Sequence, residues 1–274
     1  MKIATLRPVG VPSAWAAMSS VARRRLLIAR TGFLGLFIRT LGTSIFYLGS
    51  LGLGLAALAR NSVTEGADGP ISFLGFVTPA LICGAAIAVG ADESIYSYMD
   101  GLRWSRAFIV MRQTPLSPAH IVAGTTLYLT ARLVFATALY LIVAYTFGAV
   151  SGLAPLLMLL IAPLGGLCIA AIIAPFAIRV QEEKGQLALV TRLVVLPMFL
   201  LSGTFRPIDD LPLPVRLLTT ISPLWHASQL SRVLTVGLRE PAIMLFAHEA
   251  YLIALTTVGI SIAIYSLKRR MDEI

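Results

Sequence analysis

Few residues in this chain could do chemistry, and their spacing excludes more than it allows. A phosphate-cradling G-x-x-x-x-G-K-[ST] loop needs a lysine with glycine before it and serine or threonine after it. The lysines are Lys2, Lys184 and Lys268, and none has those neighbours. Neither H-E-x-x-H nor G-x-S-x-G occurs, so metalloprotease and serine-hydrolase chemistry have no motif to rest on. His120 and His248 show no ligand spacing, and Cys83 and Cys168 both fall in apolar runs, so no disulfide framework or metal spacing is suggested.

Charges inside apolar runs carry more information. Arg132 stands about eleven residues into one such run, roughly 16 Å deep at 1.5 Å per residue, where an unpaired charge is costly. Two roles fit it: contact with an anionic or polar substrate group, or a buried partnership with backbone carbonyls, Asp92 or Glu93. Arg39, nearer a run's end, reaches lipid headgroups by snorkelling. Glu249 is the only acid expected within a span, which disfavours a proton-driven carrier. Tyr47, Tyr128 and Tyr140 either line an amphiphile pathway or act as packing and interface anchors. For His226 the choice is a polar anchor between short helices or a catalytic or ligand role.

The elements that position these residues follow from composition. A chain of 274 residues that is 57% hydrophobic and 13% charged has too little polar surface to coat a soluble globule. Runs long enough to cross a bilayer lie at roughly 33–59, 71–91, 121–147, 154–178 and 243–267, with a shorter sixth at 187–203. Both ends are basic, which places both termini in the cytoplasm and makes the span count even. With six spans, fifteen lysines and arginines fall inside and five outside, Arg39 and Arg132 lying within spans. That asymmetry accounts for most of the +9 charge without nucleic acid. The opening MKIATLRPVGVPSAW lacks a cleavage pattern, so no removable leader is expected. The fold class is therefore an all-α polytopic membrane protein with six transmembrane helices. Small-residue ridges at Ala80, Gly84 and Ala88 and at Gly166, Ala170 and Ala174 mark close helix packing.

Between the spans, residues 13–30 put Trp15, Met18, Ala22, Leu26 and Ala29 at helical spacing opposite an arginine cluster, an amphipathic helix at the inner surface or a solvated basic leader. The connection 92–120 is too long and too apolar for a plain turn. Residues 100–112 read as a short helix with Arg103, Arg106 and Arg112 beside an apolar face, and Ser117-Pro118 as the cap and first residue of the third span. On the outer side, 204–240 hold two short helices, one after Asp209-Asp210 and one from Ser222-Pro223 to Gly237. Neither can cross a bilayer, so they form a re-entrant hairpin between spans five and six, dipping into the outer leaflet.

Leu201-Ser202-Gly203-Thr204-Phe205, Pro207-Ile208-Asp209, Leu211-Pro212, Pro223-Leu224-Trp225-His226 and Arg232 together resemble the signature of type-two ABC exporter permeases, in the branch of nodulation-factor and daunorubicin exporter subunits. Thr114-Pro115-Leu116 after Arg103-Trp104 is similar to the first cytoplasmic loop of that branch. Arg206 departs from the apolar or aromatic residue often found there and makes the outer gate more polar. The resemblance covers nearly the whole chain and implies a single transmembrane domain over 1–274 in the cell membrane. It implies a second permease subunit, identical or homologous, and separate ABC ATPase subunits that hold ATP and Mg, with no cofactor on this chain. It also implies ATPase coupling through Arg103, Trp104, Arg106, Thr114, Pro115 and Leu116. The outer gate would comprise Phe205, Arg206, Pro207, Asp209, Trp225 and His226, with Arg132, Tyr47, Tyr128 and Tyr140 as pathway candidates. The expected function is outward movement of a lipidic or amphiphilic substrate among membrane lipids; a membrane-embedded lipid-modifying transferase and an accessory subunit are the alternatives.

Overall fold

A computed structural model of the chain describes residues 13–54, 64–67, 69–182 and 184–273, and these are almost wholly helical. The start of the chain, where a leader was looked for, and the end of the first apolar run lie outside the described residues. Among the described residues five helices are long and apolar enough to span: α2 (Phe33–Ser50), α3 (Phe73–Trp104), α5 (Pro118–Thr146), α6 (Ala154–Arg179) and α10 (Ala242–Asp272). A shorter apolar helix, α7 (Gln186–Leu201), covers roughly 24 Å at 1.5 Å per residue and matches the short sixth run. The remaining helices are α1 (Ala14–Thr31), α4 (Ala107–Met111), α8 (Leu213–Ile221) and α9 (Pro223–Val236). One small hairpin, β1 (Thr64–Gly66) with antiparallel β2 (Gly69–Ile71), touches the end of α9 through a bridge from Gly66 to Leu238.

Local chemistry sets the helix ends. Ser117 caps α5: its Oγ accepts from the His120 N–H at 3.2 Å, while His120 Nδ1 accepts from the Ser117 N–H at 3.3 Å, and Pro118 follows as expected. Gly237 ends α9 with a left-handed φ of 68°. The aspartates before α8 do not cap it. Pro212 occupies the cap position, residues Ile208–Asp210 form a separate turn, and Asp209 pairs instead with Arg216 at 2.8 Å. Likewise the Ser222 hydroxyl turns away from α9 to meet the Ser202 hydroxyl.

The second span is longer than its apolar run. It was expected to stop near residue 91, but α3 continues through Asp92 and Glu93 to Met99 and adds a wider turn over Asp100–Trp104. No glycine or proline interrupts the chain between Ala91 and Asp100, and the Glu93 charge is met inside the bundle, so the helix continues. The expectation that Glu249 is the only acid within a span is corrected accordingly.

At the centre, α3 crosses α6 where Gly90 meets Gly166. A Cβ on Gly90 would lie 2.2 Å from the Gly166 carbonyl oxygen, so only glycine allows this approach. Ser94 Oγ donates to the Ala170 carbonyl at 2.8 Å one turn on, so the Gly166 ridge packs against a helix of the same chain. The other ridge meets α7, since Gly84 faces the Phe199 ring. Phe76, Leu81, Ile82, Ile87, Leu133 and Met158 fill the interior.

Candidate functional site

Three polar assemblies stand out in this apolar molecule: one at the end carrying α1 and α4, one in the middle, and one around α8 and α9.

At the first end, α1 lies against the start of α5. A Cβ on Gly124 would sit 2.5 Å from the Met18 carbonyl oxygen, so the helix backbones touch there. The face of α1 packed into the protein is Ala17, Val21, Ala22 and Arg25; of the stripe expected at the membrane surface it includes Ala22, while Met18 and Ala29 are half-buried and Trp15 and Leu26 stay exposed. Trp15 is 65% exposed. Arg25 is drawn inward, where its Nη2 donates to the Ser97 carbonyl and its guanidinium lies 5.3 Å from the centre of the Phe108 ring.

The expected single helix over 100–112 is broken. Arg106 adopts a left-handed φ of 51°, so the chain turns between the end of α3 and the five residues of α4. The turn separates side chains that one helix would have kept together. Trp104 is 61% exposed, its ring 6.0 Å from Tyr96, while Phe108 is fully buried against Tyr98. Arg103 is no free rim residue: its Nη2 donates to the Val180 carbonyl at 2.8 Å, holding the carbonyl end of α6. Arg106, Thr114 and Pro115 are exposed and Leu116 is half-buried. Asp92, Ile95, Trp104, Leu187, Thr191 and Arg192 line a groove of about 350 Å³ between α3 and α7.

In the middle, Arg132 is 5% exposed and reaches one of its anticipated partners, Glu93, together with a hydroxyl that the sequence did not suggest. Its Nε lies 3.4 Å from Glu93 Oε1 and its Nη2 donates to Thr40 Oγ1 at 3.1 Å. Tyr128 donates to Glu93 Oε2 at 3.3 Å, and Arg39 stands 4.0 Å from Oε1 with most of its side chain exposed. Tyr140 lies beside Thr43, Ser44 and Tyr47. Tyr47, Arg132 and Tyr140 thus share one seam, between α2 and α5, and Tyr128 joins it through Glu93. Glu93 completes it; the sequence offered it as one partner among several because it stood outside the expected span.

Around the hairpin, Phe205 packs edge-on to Phe199 at 6.0 Å, and Arg206 and Asp209 are exposed with Pro207 between them half-buried. The keystone is Arg232, which is 1% exposed. Its Nε donates to the Phe76 carbonyl at 2.9 Å, its Nη2 to the Gly203 and Thr204 carbonyls at 2.9 and 3.0 Å, and its Nη1 to Gln229 Oε1 at 3.1 Å. The guanidinium also lies 3.6 Å from the centre of the Phe76 ring. One side chain thereby ties α9, the start of α3 and the loop after α7. Beside it, Cys83 Sγ lies 3.2 Å from Ser231 Oγ, and both cysteines are free and buried. His226 is buried against His248, Trp225 and Tyr251, on two neighbouring helices. His248 was passed over because its partners, 22 and 8 residues away, come together only in the fold. Among the described residues no three His, Cys, Asp or Glu side chains are grouped to hold a metal.

Comparison with known proteins agrees with this architecture. Residues 21–236 match the family model of the ABC-2 type transporter, ending where α9 ends. The chain is similar to nodulation protein J of Rhizobium leguminosarum bv. viciae, 26% identical over 271 residues and 99% of each chain. It is 25% identical over 252 residues to nodulation protein J of Rhizobium meliloti (strain 1021), covering 92% of this chain and 93% of that one. With nodulation protein J of Neorhizobium galegae it shares 24% identity over 263 residues, 96% and 97% of the two chains.

Proposed function

Because the chain belongs to the ABC-2 type transporter family and is a transport membrane subunit that works with an ABC ATPase, we propose that it moves a lipidic or amphiphilic molecule outward across the cell membrane. A glycolipid, a lipo-oligosaccharide and an amphiphilic drug all have the apolar body and polar head that such a subunit would carry. Both termini face the cytoplasm in this reading, as does the end bearing α1 and α4, while α8 and α9 cap the outer side. A second permease, identical or homologous, faces the lightly buried α2, which, like α10, leaves most of its residues outside the molecule, in contrast to α3, α5 and α6. ATP and Mg sit on the partner ATPase, since no lysine here has the neighbours of a phosphate loop.

The observation that carries this reading is the exposed Trp104 at the tip of α3, followed along the chain by exposed Arg106, Arg112, Thr114 and Pro115. A large aromatic flanked by cations is the kind of anchor that dominates a protein contact. Arg103 has a different job in holding α6. Trp104→Ala is expected to leave insertion and yield unchanged while reducing co-purification of the ATPase and uncoupling transport. Unchanged co-purification and transport would remove the coupling role. Cysteines placed near Arg106 and Asp210 test orientation: an impermeant maleimide should reach 210 in intact cells and 106 only after permeabilisation.

A further inference from the structure

The cluster between α8, α9 and α10 fixes its own proton count. His226 Nε2 lies 2.9 Å from the Thr220 carbonyl oxygen, which can only accept, so Nε2 carries hydrogen. A neutral His226 then presents Nδ1 as an acceptor. It faces His248 Nδ1 at 2.7 Å, so the hydrogen in that bond belongs to His248. His248 Nε2 in turn lies 3.1 Å from Glu240 Oε1, and a carboxylate there also demands a donor. All three bonds are satisfied together when His248 carries both hydrogens, Glu240 is ionised and His226 is neutral.

We propose that His226, His248 and Glu240 form a one-proton latch that fastens the α8–α9 hairpin to α10, and that a second proton, taken by His226, releases it. Protonating His226 would set N–H against N–H and one positive ring against another across 2.7 Å, so the rings must separate. With them would go the contacts that cross the same joint: the Tyr251 ring stacked on His226 at 4.0 Å, and the Tyr251 hydroxyl donating to the Ile221 carbonyl.

Other charged or titratable groups near the cluster leave His226 as the one that feels the second proton most. From α8, Arg216 is engaged by Asp209 at 2.8 Å. Arg232 on α9 is held by carbonyls, and Cys168 on α6 is a buried thiol near Tyr251. Arg239 adjoins Glu240 in the connection to α10, and Glu249 beside His248 is exposed. A proton taken by Glu240 would leave its Oε1 free to accept from His248, so all three bonds would survive; Glu240 Oε2 has no hydrogen-bond partner among the described residues. Burial, aided by the charge on His248, pushes the His226 imidazole down to about 4 from 6.5. A histidine lowered in this way binds fewer protons folded than unfolded. The closed joint is therefore fully stable above about pH 6.5 and loses that stability as pH falls toward about 4. The latch does not depend on which substrate is carried.

Trp225 is a built-in reporter, its ring 4.8 Å from His226 and 4.9 Å from His248. In the full-length chain in lipid vesicles, with Trp15→Phe and Trp104→Phe leaving Trp225 as the sole indole, acrylamide quenching of its emission is read against pH. The expected result is a rise of at least about two-fold between about pH 7.5 and about pH 3.5. The rise should persist in Glu240→Gln, whose amide oxygen still accepts from His248, and vanish in His226→Gln, which cannot take the proton. No rise in the parent, a rise retained in His226→Gln, or a rise lost in Glu240→Gln would each overturn the latch. If His226→Gln does not fold, His226→Asn replaces it. If neither folds, the parent's midpoint decides: between about 4 and about 6.5 supports the proposal, and outside that range defeats it.

Discussion

Arg232 and Arg132 are both buried in largely apolar surroundings, yet they are satisfied to different degrees. Arg232 donates to three carbonyls and one side-chain amide and lies over an aromatic ring. Arg132 has one hydroxyl and one carboxylate, and its Nη1 has no hydrogen-bond partner among the described residues. A guanidinium held by backbone carbonyls of two other segments can move only if both move with it, which suits a fixed base for the α8–α9 hairpin. One held by side chains of two neighbouring helices, with a nitrogen to spare, can change partners when those helices slide. The hairpin is thus built on a rigid pin, and the α2–α5 seam on an exchangeable one.

The largest effect expected from this contrast is at the pin. Arg232→Met removes every donor and leaves the Phe76, Gly203 and Thr204 carbonyls without this partner. Each buried orphan costs about 1–3 kcal/mol, so a loss of roughly 3 kcal/mol or more is expected, read as collapse of folded yield in size-exclusion chromatography. Arg232→Lys should rescue little, because an ammonium cannot fork to carbonyls on separate segments. A monodisperse Arg232→Met protein with an unchanged melting temperature would show that the two arginines do not differ in this way.

The seam should answer differently. Glu93→Gln leaves Arg132 buried without its counter-charge, a defect worth about 3–5 kcal/mol when one partner of a buried pair is lost. Removing both charges, in Glu93→Gln with Arg132→Met, should recover much of that stability, since apolar replacement of a buried pair is often neutral. Thermal unfolding of the two single variants and the double variant measures the coupling. If the double variant is as unstable as the sum of the singles, the two residues act independently and the seam is not an exchangeable pair.

Much of this was legible in the sequence. The apolar runs gave the spans, and Ser117-Pro118 and Gly237 gave helix ends, because capping is local chemistry written in adjacent residues. Two short helices over 204–240 followed from the same punctuation. What could not be read was decided by partners distant in sequence. Glu93 continues a helix past its apolar run because Arg132, 39 positions later, meets its charge. The side of α1 that packs into the protein is set by Arg25 finding Ser97, 72 positions later, which no spacing within residues 13–30 reveals. Arg232 appeared in a recognisable pattern, but nothing local said that its guanidinium would collect carbonyls from two other segments.

The same contrast between fixed and free side chains recurs within the loop at the α1 end, on a smaller scale. Phe108→Ala should cost roughly 3–5 kcal/mol, the usual range for emptying a buried aromatic site, because its ring fills the space beside Gly101, Tyr98 and Arg25. Trp104→Ala, at an exposed position, should change thermal stability within about 0.5 kcal/mol, so any loss of ATPase recovery in that variant cannot come from unfolding.

The smallest effect expected is at the hairpin's outer edge, where Asp209 and Arg216 form an ion pair of good length, 2.8 Å, between largely exposed side chains. Solvent screens such a pair, and holding two flexible side chains together costs entropy, so Asp209→Asn should change stability by at most about 0.5 kcal/mol. That small change should fade further at high salt. Arg232, in the same cap, should show no comparable salt dependence, since its partners are buried carbonyls that ions do not reach. Melting temperatures of Asp209→Asn, Arg232→Lys and the parent at low and high salt separate the two cases. A large, salt-insensitive loss in Asp209→Asn would mean that the cap's edge is as fixed as its base, and that its rigidity does not rest on Arg232 alone.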